Sequence, residues 1–115
     1  MDAEELKKRT RKLAVDVAHL ILKLENNLIN RSYSNQIIRC SSSVAANYRA
    51  ARRAKSRPDF INKLKIVEEE LDETLFFLDL LNEFNAHFKT EIDAIMAEGE
   101  TLLRIFVATI NSARK

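Results

Sequence analysis

One glycine and one proline among 115 residues leave few places where the backbone turns sharply, which excludes folds built from many short strands and tight loops. The same scarcity excludes glycine-rich phosphate loops. A single cysteine, Cys40, cannot form an internal disulfide and fits a reducing compartment. No apolar run approaches the roughly 20 residues needed to cross a bilayer, the longest being short stretches such as Leu75-Phe76-Phe77-Leu78. No charged-then-apolar leader opens the chain. A cytoplasmic protein with no membrane partner is expected.

What remains is dominated by Leu, Ile, Ala, Glu, Lys, Arg and Asn, the residues of long helices. The length suits one domain, residues 1–115, with a core that needs no metal or disulfide. Leu6, Leu13, Val17, Leu20, Leu24 and Leu28 recur at helical steps and predict a first helix from about Glu4 to Ile29. The polar stretch Asn30 to Gln36 breaks that pattern, and Ser32 or Ser34 is positioned to cap a second helix over about Asn35 to Lys55.

Pro58 and the Ser56/Asp59 spacing open a third helix, with Arg57 the alternative cap because it precedes proline. Its seam of Phe60, Leu64, Val67, Leu71, Leu78 and Leu81 extends to about Ala86. Thr90 and Asp93 repeat the capping-box spacing ahead of a fourth stripe, Ile92, Ile95, Met96, Leu102, Leu103, Phe106 and Ile110. Four helices with short connections predict an all-α, antiparallel up-down-up-down four-helix bundle. The small residues Ser41, Ser42, Ser43, Ala45 and Ala46 in helix two, and Gly99 in helix four, point to close helix approach.

Charge is segregated along the chain. Residues 26–58 carry seven basic groups and no acid, whereas residues 59–83 carry eight acids against Lys63 and Lys65. In a hairpin of helices two and three, Arg39 lies opposite Thr74, Ser43 opposite Glu70, and Asn47 opposite Ile66. Arg39, Ser43 and Asn47 are therefore expected to reach Glu70 and Glu73, either as a specific network or as solvated ion pairs. Arg49, Arg52, Arg53, Lys55 and Arg57 lie beyond most of these acids. Three uses are open to them: complementing a helix C-terminus, binding phosphates of RNA or DNA, or meeting the acidic helix of another subunit.

Helix three also carries more apolar surface than one stripe holds, and Phe76, Phe77, Leu80 and Phe84 are expected at an oligomer interface. Catalytic chemistry finds no support. A di-iron bundle needs two Glu-x-x-His pairs, but the chain has only His19, three residues after Asp16, and His87, four after Glu83. No metal, cofactor or catalytic residue is assigned, and Cys40 reads as a small core residue.

The segment Gln36 to Leu81 resembles the 23S rRNA-intervening-sequence protein family, also called the S23 or four-helix-bundle protein family. Gln36, Arg39, Ser43, Asn47, Phe60, Leu64, Glu70, Glu73, Leu78 and Leu81 carry the resemblance. Many members continue Asn-Ile-Ala-Glu-Gly where this chain has Asn47-Tyr48-Arg49-Ala50-Ala51, so whatever that glutamate does is absent here. The resemblance implies an antiparallel bundle that assembles into a homopentamer. It implies little about activity; since no residue pattern supports catalysis, a non-enzymatic scaffold with nucleic-acid association left open is expected. The alternative is a dedicated RNA- or DNA-binding module, or an accessory partner of a nucleic-acid enzyme.

Overall fold

The computed structural model describes residues 1–115. Helix α1, Ala3–Lys23, starts where the Asp2 carboxylate accepts the Glu5 N–H at 2.8 Å. It buries Leu6, Thr10, Leu13, Val17 and Leu20. Thr10 is tolerated inside because its hydroxyl donates to the Leu6 carbonyl at 2.8 Å.

Helix α1 ends six residues before the expected Ile29, and helix α2, Leu28–Ala51, begins seven before the expected Asn35. The cause is Asn27, whose side chain accepts the Asn30 N–H at 2.9 Å and caps α2 in place of Ser32 or Ser34. Leu24 and Leu28 keep a helical spacing across a turn, so periodicity alone joined two helices into one. Residues 30–36 are accordingly helical.

At its other end α2 stops at Ala51 rather than Lys55. Arg53 and Ala54 donate to carbonyls three residues back, at 3.0 and 3.1 Å, which tightens the chain out of the helix before Ser56 turns extended. Helix α3, Arg57–Phe84, is capped by Ser56, whose hydroxyl accepts the Asp59 N–H at 3.2 Å. It buries Leu64, Val67, Leu71, Thr74, Leu78 and Leu81. A 3-10 turn, Ala86–Phe88, leads into helix α4, Lys89–Ala113. The expected Thr90/Asp93 box does not form, because the Asp93 carboxylate accepts from Lys89 at 3.0 Å and from Asn82 at 2.9 Å instead.

The four helices pack in chain order, with α4 returning to α1, and form an antiparallel up-down-up-down bundle 45 Å long and about 20 Å across. Phe106 and ten or so aliphatic side chains fill its axis, with the Tyr48 ring 5.4 Å from that of Phe106. Gly99 is buried against α3, where a Cβ would sit 2.8 Å from Leu75 Cδ2. The α1–α4 edge is closed by Arg9, which donates from Nε at 2.8 Å and from Nη2 at 2.5 Å to the two oxygens of Glu98. Lys23 pairs with Glu91 at 2.6 Å further along.

One buried polar contact ties the chain together where α2 begins and α3 ends. Asn30 and Asn85 exchange amide hydrogen bonds at 3.1 and 2.8 Å. Each amide also donates to a backbone carbonyl, Asn30 to Glu25 and Asn85 to Leu81, both at 2.9 Å. Since losing one partner strands a buried amide, Asn30→Ala and Asn85→Ala are each expected to cost about 1–3 kcal/mol in urea unfolding. The double variant is expected to cost less than the two singles together, giving a coupling of at least about 0.5 kcal/mol.

Candidate functional site

Helices α2 and α3 run antiparallel in the register that places residue 39 near 74, and Thr74 Oγ1 lies 3.3 Å from Cys40 Sγ inside the pair. Burial among these groups pushes the Cys40 thiol up from its ordinary value, which keeps it protonated and unsuited to attack. No three His, Cys, Asp or Glu side chains stand where they would share a metal ion. His19 and His87 are both exposed.

The outward groove between α2 and α3 holds the expected polar residues, but in two groups rather than one. Arg39 reaches Glu73 at 3.0 Å and Glu70 at 3.8 Å. Asn47 and Ser43 do not bond to those carboxylates. They lie one turn apart on α2, so the Asn47 amide satisfies itself locally, donating to the Ser43 carbonyl at 2.9 Å and hydroxyl at 2.8 Å. Glu70 Oε2 is left buried without a hydrogen-bond partner, which is uncommon for a charged oxygen.

Toward the α1–α2 end of the same groove lies a chain of aromatic rings. Phe76 stands edge-on to Phe77 with centroids 5.4 Å apart, Phe77 lies 6.2 Å from Tyr33, and Tyr33 lies 6.2 Å from Phe84. Phe76 and Phe84 are each 56% exposed. Phe77 and Leu80, expected at the surface with them, are half-buried, and Phe77 packs partly on the core. Tyr33 was missing from the residues singled out by sequence because its stretch read as a connection. Its spacing of four before Ile37 and seven before Cys40, on the buried stripe of α2, is the signal that would have found it. Leu22 and Leu28 are also largely exposed near this end of the rod.

The opposite end carries the basic cluster. Arg49, Arg52, Arg53, Lys55 and Arg57 are all exposed, and none forms an ion pair. Arg52 lies over the Phe60 ring at 5.9 Å, and Arg57 donates to the Lys115 backbone oxygen at 3.4 Å. An open depression of about 470 Å³ is lined here by Arg52, Lys55, Ser56, Arg57 and Phe60, with Ala51, Ala54 and Ala113 completing it. The nearby acid, Asp59, is already engaged by the Lys55 backbone N–H at 3.1 Å and by Lys63 at 3.4 Å. The first of these bonds is the main reason its carboxyl is held below the usual carboxylate range.

The sequence profile of the 23S rRNA-intervening sequence protein family matches residues 4–108. A crystal structure of a protein with unknown function from the S23 ribosomal protein family, from Bacteroides thetaiotaomicron VPI-5482, superposes with a TM-score of 0.82 at 30% sequence identity. The match covers 96% of this chain and 99% of that one. No curated protein matches the sequence. No helix is long and apolar enough to cross a membrane.

The Asp59 contacts make the α2–α3 turn sensitive to acid. A carboxyl whose folded value is depressed contributes stability that is complete above its ordinary value and is lost as pH falls through the folded one. The thermal midpoint is therefore expected to drop as the pH is lowered below about 4, and Asp59→Asn is expected to flatten that part of the curve. Thermal unfolding followed by circular dichroism over a pH series makes the comparison.

Proposed function

The chain belongs to the 23S rRNA-intervening sequence protein family, and from that membership we propose that it is a non-enzymatic scaffold that assembles with copies of itself, as a homopentamer, through the α2–α3 groove. The observation that carries this reading is the ring chain Phe76, Phe77, Tyr33 and Phe84, whose two end members are more than half exposed. Large aromatics left this open on one contiguous patch mark a surface that a protein covers.

Two further features support the same face. The residues that carry the family resemblance, Arg39, Ser43, Asn47, Glu70 and Glu73, border the groove that the aromatics end. The buried Glu70 Oε2, which accepts no hydrogen bond and has only Arg39 at 3.8 Å, has room in its bonding for a donor from a neighbouring copy. Acids Glu68, Glu69, Asp72, Asp79 and Glu83 on α3 find no cation within their own chain. Such an acidic face suits a head-to-tail contact that closes into a ring.

Size exclusion with light scattering tests the proposal. The wild type at micromolar concentration is expected at about five times the protomer mass of 13.3 kDa. Each phenylalanine side chain taken out of water contributes about 1.5–3 kcal/mol. Both rings are already partly covered, so about half of that gain is left for the contact, and changing Phe76 and Phe84 together to Ser is thus expected to weaken each contact at least about tenfold and release protomers. Because both rings are exposed, the protomer's helical signal and thermal unfolding should survive the change. A wild type that elutes as a monomer rejects the reading.

A further inference from the structure

We propose that the tip formed by the end of α2 and the start of α3 docks the phosphodiester backbone of a nucleic acid through Arg49, Arg52, Arg53, Lys55 and Arg57, reading charge and not base sequence. These five cations crowd into nine positions and, unlike Arg39 or Arg9, have no carboxylate within their own chain. Asp59, the one acid nearby, forms its ion pair with Lys63 and not with any of the five, and a single carboxylate leaves the cluster strongly positive. Like charges held this close repel one another, and an anion that relieves the repulsion binds in preference to water.

The chemistry of the tip favours phosphate over a protein partner. Four of the five are arginines, whose planar forks grip phosphate oxygens in pairs. Two of them, Arg52 and Arg57, line the open depression of about 470 Å³, where Ser56 and Lys55 add further donors. Between Arg49 and Asp59 the only apolar residues are alanines and Pro58, and the one large apolar side chain of the depression, Phe60, is half-buried beneath Arg52, so a protein partner finds little on which to anchor. Bases find little to stack on either. Tyr48 is buried in the core, and the face of Phe60 is occupied by Arg52. What the tip offers is a row of charge, which is the sequence-independent part of nucleic-acid recognition.

Position matters as much as composition. Tyr33 and Arg52 stand nineteen residues apart on one helix, about 28 Å at the helical rise. The tip is therefore remote from the aromatic end of the groove within the protomer, and because its charge and exposure are those of a single chain the inference does not rest on the assembly proposed above.

Fluorescence anisotropy with a short labelled single-stranded RNA, and with DNA of the same sequence, tests it, with the oligomeric mass followed in parallel. With three to five phosphates neutralised, affinity is expected to fall about 20- to 100-fold between about 50 and 200 mM salt. Scrambling the base sequence is expected to change it by less than about threefold. The triple variant Arg49→Ala, Arg52→Ala, Arg53→Ala is expected to bind at least about tenfold more weakly at low salt, and Arg53→Ala alone to show a smaller loss and a shallower salt dependence. Arg11→Ala with Arg104→Ala, exposed arginines elsewhere on the rod, should bind as the wild type does. Binding of RNA, of DNA or of both satisfies the proposal and identifies the polymer. No binding of either at low salt overturns it, as does undiminished binding by the triple variant. A wild type that binds neither polymer, with a triple variant that loses its assembly, assigns the tip to a protein contact instead.

Discussion

The register of α2 against α3 is the constraint from which the other features follow. Helices are stiff rods rising about 1.5 Å per residue, so once Cys40 is set against Thr74 the position of every other pair on the hairpin is determined. Arg39 falls beside Glu73 and Glu70, Tyr33 beside Phe77 and Phe84, and the five cations from Arg49 to Arg57 gather about the turn, where the acid of α3 alongside, Asp59, pairs with Lys63 and with none of them. A slip of one turn would bring the arginines nearer the glutamates and pull the aromatics apart. The buried Asn30–Asn85 pair opposes such a slip. Its two amide–amide hydrogen bonds span the start of α2 and the end of α3, and a local bond from each amide to a backbone carbonyl orients them, so both cross-links form in only one alignment.

Opposite charge on adjacent helices suggests mutual neutralisation, yet the structure uses little of it. Arg39 is the one basic residue of α2 that bridges to α3, and its side chain is 56% exposed. An exposed pair of this kind contributes under about 1 kcal/mol, too little to hold a hairpin whose core already buries six side chains of α3. The segregation is therefore poorly explained as a stabilising device within one molecule. It makes more sense as a separation of tasks along a 45 Å rod, with apolar rings toward one pole, carboxylates along α3, and uncompensated cations at the other pole.

The bundle was legible because its strongest signals are long-range patterns. Stripes at three and four residues identify four helices whether or not their ends are located, and the hairpin register follows from one turn and a constant rise. The caps were harder. Ser56 was readable since Pro58 marks the spot, whereas Asn27 lay inside what looked like an unbroken stripe, because Leu24 and Leu28 keep helical spacing across the turn. That error concealed Tyr33 and with it the continuity of the aromatic patch. Side-chain partners were harder again. Asn47 had a carboxylate one turn along the facing helix and a hydroxyl one turn back on its own, and the local acceptors won because reaching them orders fewer groups. The Asn30–Asn85 pair left no mark in the pattern, since asparagine occurs at many helix ends and only tertiary structure brings these two together.

Symmetry gives the two poles a joint consequence. Rods related by a rotation about one axis all point the same way, so a ring closed through the aromatic ends of the grooves displays every basic tip on one rim. A single tip with three to five phosphate contacts binds weakly and lets go quickly at physiological salt. Tips on one rim would engage the same strand together, and the second contact would become intramolecular, raising avidity by about 10²–10⁴ without any new residue. Removing Phe76 and Phe84 would then weaken nucleic-acid binding although neither ring lies near a cation, whereas removing the arginines would leave the ring intact. That asymmetry distinguishes a scaffold that gathers weak sites from a module that binds on its own, since in the latter the aromatic substitutions would change mass and leave affinity where it was.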